Sequence, residues 1–322
     1  MTKLKKMTIV SVVFSIICVS WLLCMLGVGS VVVRTFLHAT KPGIYFKHHN
    51  NVTNSPVATL VTAYFEIDSK HTSRDYDIWM KNMFSLTDPM VIFTEEKFVT
   101  QFLALRSHAA NKTRIITTRL EHLKVAQMYT RDTWAKQLWI DPEKNLHKTY
   151  KVYWIWLNKL SFMAEAVQMN PFDNDIFVWC DVGSFRDNTY NHAKLLVNMD
   201  LIDENRMLLM AVKPPHNTLQ NNGMVLKYDA YFENSDWYTG GGIIAGYKNT
   251  ITITEKLFVQ TIAKYKENQH FIGDDQPLLQ FTCVKHDMCE FVTPYHIPGN
   301  PWFGLQYALH TSNVISLWKP RT

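Results

Sequence analysis

In Ile176-Phe177-Val178-Trp179-Cys180-Asp181-Val182-Gly183-Ser184, five apolar residues run directly into a carboxylate, and a glycine follows two positions later. A short apolar run that ends in turn-forming residues is typical of a buried strand, here of a parallel sheet. Open α/β sheets bind their ligands at the carboxyl ends of such strands. The pattern therefore predicts that Asp181 stands at a strand end, where it either caps the next turn or faces a ligand.

Further apolar runs alternate with helical patterns along the chain. This alternation favours an α/β fold with a mostly parallel sheet, right-handed crossovers and flanking helices. Asn170-Pro171 ends the clearest helical pattern just before the opening stretch. Strands are predicted at 57–65, 89–94, 114–117 and 208–212, and helices at 76–84, 95–105, 120–140, 151–169 and 251–266.

The composition is that of a folded protein. Of the 322 residues, 47% are hydrophobic, and there are only 12 Gly and 12 Pro, so extensive disorder is not indicated. Without its N-terminal segment the chain keeps roughly 270 residues, enough for one large α/β domain or two small ones. The net charge is +5, with no Lys/Arg-rich run beyond the extreme N-terminus. Nucleic-acid binding is therefore not favoured.

The N-terminal segment predicts a membrane anchor. Residues 7–33 carry no charge, and three lysines precede them. About 20 apolar residues span a bilayer, and the positive-inside rule places the short tail in the cytosol. The alternative is a cleaved signal peptide, whose apolar region is usually only about 7–15 residues long. We predict a type II protein of the Golgi or another secretory membrane: cytosolic tail (1–6), transmembrane signal-anchor (7–33), stem (34–55) and lumenal domain (56–322).

The cysteines and sequons are compatible with a lumenal domain. Cys283 and Cys289 are close enough in sequence to form a small disulfide loop, which an oxidising lumen permits. Cys180 is expected to be a small apolar core residue rather than a reactive thiol. The chain has no CxxC pair, so a structural zinc site has no support. The sequons at Asn51 and Asn111 are acceptors for N-glycosylation in a eukaryotic lumen.

Three groups of residues downstream of Asp181 are candidates for chemistry. Gly240-Gly241-Gly242 either forms a tight turn or lets the backbone approach a ligand, in a loop that enters a short strand. In Asp274-Asp275, one carboxylate suits a helix N-cap before Pro277, and the other is free to contact a substrate hydroxyl or act as a base. His296 lies in a Pro/Gly-containing loop, either as a loop residue or as a ligand for an Mn-type ion beside carboxylates.

The order of these parts resembles that of nucleotide-sugar transferases of the GT-A type, and most of the globular part resembles the HtrL/YibB-like family, a GT-A-like group. The most specific block runs from Asn170-Pro171-Phe172 to Trp179, Asp181 and Gly183. The resemblance implies a GT-A-like (Rossmann-like) sheet. Its other segments are 61–65, 91–94, and Trp156 with Lys159.

The GT-A resemblance also implies roles for residues that bind the donor. Asp181 stands where the first Asp of the usual Asp-x-Asp motif stands, whereas Gly183 occupies the second Asp position. Ala63 and Tyr64, which end the first predicted strand, look like the contacts to the nucleotide base and ribose. Three basic side chains are candidates for the diphosphate or are solvated surface residues: Arg74, Arg106 and Lys159.

The metal is less well specified, because Gly183 removes one ligand that the motif usually supplies. An ion is then held more weakly, is held by other residues, or is not used. His296, with Gly299 and Pro301-Trp302, resembles the His-x-x-Gly…Pro-Trp loop of glycogenin-like transferases, with a shorter spacing here. The resemblance therefore implies Mn²⁺ held by Asp181 and His296.

On the acceptor side, the segment Gly240–Gly242 looks like the glycine loop, and Asp274 or Asp275 like the acidic group at the reacting centre. The predicted function is that of a glycosyltransferase-like protein, which moves a sugar from a nucleotide-diphosphate donor to a glycan, protein or lipid acceptor. The alternative is a non-catalytic glycan- or partner-binding protein on the same fold. A hydrolase is not favoured, because no Gly-x-Ser-x-Gly or His-Glu-x-x-His motif is present.

Overall fold

The computed structural model describes residues 44–47, 57–213, 239–295, 297–311, 313 and 315–319. The chain divides into residues 1–46 and residues 47–322, and a short strand, β1 (Ile44–Lys47), lies at the boundary. The predicted anchor at 7–33 lies outside the described residues. Within the described ranges, no helix combines the length and hydropathy needed to span a membrane.

The larger unit is built on a mixed sheet. Its strands lie side by side in the order β9-β8-β6-β7-β5-β2-β3-β4. The pairs β5-β2, β2-β3, β3-β4 and β6-β8 are parallel, whereas β7 runs antiparallel to both its neighbours and β9 to β8. The strands are β2 (Ala58–Tyr64), β3 (Met90–Thr94), β4 (Thr113–Thr117), β5 (Ile176–Cys180), β6 (Met207–Ala211), β7 (Thr239–Tyr247), β8 (Cys289–Val292) and β9 (Ile315–Trp318).

Helices flank the sheet, as the alternating pattern predicts. Five of them are the first α-helix after a strand, as expected of helical crossovers that cover a sheet. They are α1 (Ser73–Phe84), α2 (Val99–Leu105), α3 (Lys124–Met128), α4 (Arg131–Ile140), α5 (Lys151–Leu157), α6 (Lys159–Met169), α7 (Lys248–Glu267), α8 (Asp275–Lys285) and α9 (Gly304–His310).

Strand β5 is the buried strand that the apolar run before Asp181 predicts. Each of its residues is at most 1% exposed, and burial of side chains of this size contributes about 1.5–3 kcal/mol each. The Trp179 ring stacks on Phe162 of α6 at 5.6 Å. The Thr62 hydroxyl of β2 donates to the Cys180 carbonyl at 2.7 Å. These contacts fix the end of the strand, and so the position of the carboxylate that follows it.

The helix predicted over 151–169 is two helices. It breaks at Asn158, whose side-chain amide donates to the Trp154 carbonyl at 2.6 Å while its Oδ1 accepts from the Val125 N–H at 3.3 Å. An asparagine that bonds to the backbone in this way competes with the helical ladder. Lys159 therefore begins α6 instead of lying mid-helix, and its side chain is buried. Likewise, the helix predicted over 120–140 is split into α3 and α4, with Thr130 as the N-cap of α4.

The glycine loop predicted at 240–242 is part of a strand instead. Opposite β6, Leu209 pairs with Ile244 but Met210 pairs with Gly240, so the intervening residues of β7 form an irregularity in the ladder. Such bulges aim backbone groups out of the sheet, and they are frequent beside functional sites. The glycines serve close packing here, and not a turn.

The predicted disulfide between Cys283 and Cys289 is confirmed, with 5.0 Å between the Cα atoms, and Cys180 is a buried free thiol. The bond links the end of α8 to β8. Replacing both disulfide cysteines by serine is expected to lower the free energy of unfolding by about 2 kcal/mol, from the entropy of closing a short loop. Urea denaturation of the full chain measures it, and reduction of the wild type should give the same decrease. An unchanged midpoint after either treatment would contradict the prediction.

Candidate functional site

A cavity of about 1310 Å³ opens where β2 and β5 end. Its wall includes the last residues of β2, the turn after β5 and the start of α8. Parallel strands end here on one edge of the sheet, which is where open α/β sheets bind ligands. The predicted site residues that line the cavity are Ala63, Tyr64, Lys159, Asp181, Gly183, Gly242, Asp274 and Asp275.

Lys159 is the centre of the site. Its Nζ lies 3.1 Å from Oδ2 of Asp181, 2.8 Å from Oδ2 of Asp275 and 2.9 Å from the carbonyl oxygen of Gly241. The ammonium has three donors; two are used in hydrogen bonds to Asp181 and Gly241, and Asp275 is its partner in an ion pair. The Lys159 and Asp275 side chains are 4% and 3% exposed, whereas Asp181 is 33% exposed. Only Asp181 of the three therefore offers a carboxylate to the cavity.

The two carboxylates keep Lys159 charged. Burial by itself lowers its pKa, but the negative charges of Asp181 and Asp275 outweigh this effect and raise the pKa above its usual value. Burial raises the pKa of Asp181, which the Lys159 charge opposes and Asp275 reinforces. The group thus behaves as one buried ion cluster with two negative charges and one positive charge.

The side chain of Asp181 does not cap the turn that follows it. The short 3₁₀ turn Val182–Ser184 has no side-chain hydrogen bond at its N-cap. Instead, Oδ1 accepts from the Trp179 indole N–H at 2.7 Å, and Oδ2 faces Lys159. The backbone N–H of Asp181 donates to the Gly242 carbonyl at 2.8 Å. The sequence allows Asp181 either to cap the next turn or to face a ligand, and the geometry supports the second of these roles.

The two carboxylates at the start of α8, Asp274 and Asp275, have different partners. Asp274 is the N-cap, and its Oδ1 accepts from the Gln276 N–H at 3.0 Å. Asp275 turns the other way, toward Lys159. Burial, followed by the charge of Asp275, raises the pKa of Asp274 to about 7. A carboxyl group with this pKa can both give and take a proton near neutral pH.

Gly241 is where the backbone must approach most closely. A Cβ on this residue would lie 2.4 Å from Oδ2 and 3.1 Å from Cγ of Asp275. No side chain fits there while Asp275 keeps its contact with Lys159. The glycine therefore lets β7 present a carbonyl to the Lys159 ammonium. In the sequence, the only signal for this close approach is the run of three glycines.

We expect Gly241→Ala to lower the free energy of unfolding by about 2–4 kcal/mol, because the new methyl group displaces a buried carboxylate from its cation. Gly183→Ala is the matched control for stability: its Cβ would meet the Trp79 ring at 3.6 Å, an ordinary contact. Chemical denaturation of both variants measures the difference. Equal stability of the two variants would show that Asp275 moves aside at no cost.

The wall of the cavity also carries an Asp–His dyad that sequence reasoning missed. Oδ2 of Asp141 lies 2.6 Å from His147 Nδ1 and accepts the Tyr153 hydroxyl. The Asp141 side chain is 1% exposed and that of His147 is 11% exposed. Asp141 and His147 lie between the helices predicted over 120–140 and 151–169, and only the fold brings them to the cavity.

Arg186 is a second cavity residue that the sequence did not single out. Its guanidinium lies over the rings of Trp79 at 4.8 Å and Phe303 at 5.2 Å. Its Nε donates to the Gly183 carbonyl at 3.0 Å. Arg186 lies three residues after the Asp-x-Gly motif, and this proximity was the one sequence signal that could have placed it at the site.

The structure does not bring every predicted residue to the cavity. Arg106 is fully buried, and its guanidinium donates to the carbonyls of Phe84, Leu86 and Asp88 and to the Thr113 hydroxyl. It therefore holds loops together and does not face a diphosphate. Arg74 is an exposed residue of α1 and is not part of the cavity wall, and neither is Gly240. His296 lies outside the described residues.

The residues that are described do not fit a resident divalent cation. Asp181 and Asp275, the carboxylates at the strand end, both face the Lys159 ammonium, which stands where an ion would have to be. Within the described ranges there is no group of three or more His, Cys, Asp or Glu side chains placed to hold a metal. No step of the chemistry below is assigned to a metal.

Comparison with known proteins bears on the family. Comparison with curated proteins gave no match. Among solved structures, the chain resembles mouse Xyloside xylosyltransferase 1 in its apo form, with 12% identity and a TM-score of 0.40 over 74% of this chain and 85% of that one. The resemblance expected from the sequence is confirmed at the family level. Residues 56–308 match the family described as "Bacterial protein of unknown function (HtrL_YibB)", so this protein belongs to the HtrL_YibB family.

Proposed function

We propose that this protein is a glycosyltransferase with a GT-A-like site, which moves a sugar from a nucleotide-diphosphate donor to a hydroxyl of a glycan, protein or lipid. The observation that carries the proposal is the ion cluster of Asp181, Lys159 and Asp275 at the end of β5, in the wall of a large cavity. A carboxylate that is two-thirds buried, fixed on two sides and still open to a cavity is typical of a functional site.

The size and lining of the cavity support two substrates. Small-molecule pockets are usually about 300–1,000 Å³, and this cavity, at about 1310 Å³, is larger. Tyr64 and Tyr76 lie with ring centroids 5.8 Å apart near its β2 end, and Trp302 lines its rim. Aromatic faces are suited to stacking on bases and sugar rings. The proposal places the nucleotide near Ala63 and Tyr64.

The reaction exchanges one bond at the anomeric carbon and moves one proton. The acceptor oxygen attacks the anomeric carbon, the bond from that carbon to the phosphate oxygen breaks, and the nucleoside diphosphate leaves with the electron pair. Asp274 takes the hydroxyl proton, since its pKa is raised to about 7 by burial and by Asp275. Asp181, held by Lys159 and Trp179, orients the sugar hydroxyls.

A donor screen tests the proposal. The full-length chain is incubated with common nucleotide sugars, with and without acceptor glycans, and the released nucleoside diphosphate is measured. We expect release from at least one donor, and loss of about 10²-fold or more in Asp274→Asn. Binding of no nucleotide sugar and release from none would contradict the proposal.

A second candidate is a non-catalytic glycan- or partner-binding protein on the same fold. The observation that favours it is that Lys159 neutralises the strand-end carboxylates, with Gly183 in the second position of the motif. This candidate predicts that a glycan binds with equal affinity to the wild type and to Asp274→Asn, with no nucleotide released from any donor. Turnover that depends on Asp274 would exclude it.

We also propose that residues 7–33 anchor the protein in a membrane of the Golgi or a related compartment, with the domain on the lumenal side. The support is the uncharged apolar run and the lysines before it. In cells, the full chain should resist alkaline extraction from membranes, and its domain should be protected from added protease. Full release by alkali would contradict the proposal.

A further inference from the structure

The cavity has an acidic side and a basic side. Asp141, Asp274 and Asp275 lie on one side. On the other, His71 and Arg186 both pack on the Trp79 ring, at 4.9 Å and 4.8 Å, and Lys70 lines the cavity beside His71. Burial, and then the positive charges of Arg186 and Lys70, lower the pKa of His71. The nearby carboxylate of Glu66 is paired with Lys97 at 2.5 Å. The basic side is therefore the part of the wall suited to an anion.

We infer that Arg186 is the diphosphate-binding residue of this site, and that it takes the place of the divalent cation that nucleotide-sugar sites commonly use. The inference rests on the proposed function, because it names the group that holds the leaving diphosphate of the same donor. The ligand class that the inference assigns to this residue is a nucleoside diphosphate.

The first support is the fixed position of the guanidinium. Arg186 lies over two aromatic rings, those of Trp79 and Phe303, and its Nε is used by the Gly183 carbonyl. Among the described residues, its two Nη groups make no hydrogen bond, although the residue is exposed at the cavity. A guanidinium held by stacking presents its remaining N–H groups in a planar fork, which matches two phosphate oxygens.

The second support is the state of the carboxylates that would hold an ion. A divalent cation between Asp181 and Asp275 has to displace the Lys159 ammonium, which is 2.8–3.1 Å from both. The Lys159 side chain is only 4% exposed. Displacement would leave a buried ammonium without its two carboxylate partners, which is strongly unfavourable. Lys159 thus blocks an ion at the strand end and leaves the charge of the diphosphate to Arg186.

The position of Arg186 fits this role. It lies three residues beyond Gly183, on the turn that leaves the end of β5, and packs on Trp79 of α1. Asp181 and Arg186 thus present opposite charges from one short segment. A donor held there has its sugar hydroxyls at Asp181 and its diphosphate at the basic side, without a bridging ion.

The test measures binding of the full-length chain by calorimetry, with uridine, guanosine and cytidine diphosphates and with inorganic pyrophosphate. Each titration is run once with EDTA and once with Mn²⁺. We expect at least one probe to bind in EDTA, with an affinity within about threefold of that in Mn²⁺. Arg186→Gln should weaken binding by about tenfold or more, and Arg186→Lys should recover part of the loss. The control Arg114→Gln removes an exposed arginine of β4 and should not change the affinity.

The outcomes separate the inference from the proposed function. Binding that needs Mn²⁺, or binding that Arg186→Gln leaves unchanged, overturns the inference while the proposed function stands. Release of nucleotide from a donor only when Mn²⁺ is present overturns it in the same way. If no probe binds in either condition and no donor is turned over, both are overturned. Thermal unfolding of each variant confirms that it is folded, which the exposed position of Arg186 leads us to expect.

Discussion

Replacing Lys159 by methionine is expected to lower the free energy of unfolding by about 3 kcal/mol at pH 8. The methionine fills a similar volume but leaves Asp181 and Asp275 without their cation. Removal of one partner from a buried ion pair costs about 3–5 kcal/mol, and the lower end applies because Asp181 is one-third exposed. Urea denaturation followed by tryptophan fluorescence measures the change.

The pH dependence of this loss has a definite sign. Lys159 opposes the rise that burial causes in the pKa of Asp181, so without the ammonium this pKa rises further in the folded state and folding disfavours the ionised form of Asp181. The loss is then largest above that raised pKa and shrinks as the pH falls toward about 4. We therefore expect a smaller loss at pH 5 than at pH 8.

Two further variants show whether the charges are the cause. Adding Asp275→Asn to Lys159→Met should recover about half of the lost stability, because one uncompensated charge is removed. Lys136→Met is the matched control, since Lys136 pairs with Asp132 at 3.0 Å but both side chains are 77% exposed. Exposed pairs contribute at most about 1 kcal/mol. A loss in Lys136→Met as large as in Lys159→Met would refute the argument.

Replacing Asp274 by asparagine is expected to raise the stability of the protein at pH 8 and to lower its activity. Asparagine keeps the N-cap of α8 about as well as aspartate, but it removes a carboxyl whose pKa is raised to about 7 by burial and by Asp275. For a carboxyl with a raised pKa, the folded state binds the proton more tightly than the unfolded state. Its contribution to stability is therefore present below about pH 4 and is lost as the pH rises to about 7.

The wild type should thus lose stability between about pH 4 and pH 7, where Asp274→Asn should not. At pH 8 the variant should be more stable by about 2–4 kcal/mol, while the release of nucleotide falls about 10²-fold or more. Denaturation curves at pH 4, 6 and 8 and a turnover assay measure the two effects. A variant less stable than the wild type at pH 8 would show that the carboxylate, and not its cap geometry alone, stabilises the fold.

Asp75 provides a contrast of the opposite sign. It lies in the first turn of α1, and its side chain forms a capping box with Thr72. Hydrogen bonds from the Thr72 side chain and backbone lower its pKa. Asp75→Asn should therefore destabilise the protein above about pH 4 and have no effect below it, the reverse of the pattern for Asp274→Asn.

The sequence predicted much of the fold because its signals were local. The apolar runs place β2, β3, β5 and β6 within one or two residues of the structure, and the α/β class follows from their alternation. Where the prediction failed, distant contacts decided. Asn158 breaks a helix because its side chain reaches Trp154 and Val125, and a glycine-rich segment is a strand because β5 and β6 both pair with it.

The candidate site was likewise predicted in part from residue types and decided in part by distant contacts. Asp181, Lys159 and the acidic pair carry chemistry by residue type, and they meet in one wall of the cavity. Arg106 has the same residue type as Arg186, but it is buried among carbonyls, and Arg186 lines the cavity. In the sequence, only the position of Arg186 just after the Asp-x-Gly motif distinguishes the two arginines, because the rest of their difference lies in what surrounds them.

By itself, the sequence determined that a buried strand leads into Asp181, that one carboxylate of Asp274-Asp275 suits the N-cap of a helix, and that Cys283 and Cys289 are close enough to be bonded. Each of these depends on neighbours within a few residues. Only the tertiary structure decided that Lys159, 22 residues before Asp181 and 116 before Asp275, is the cation between them. The physical reason is that the charge of a buried group is set by the groups that surround it in space, and those come from distant parts of the chain.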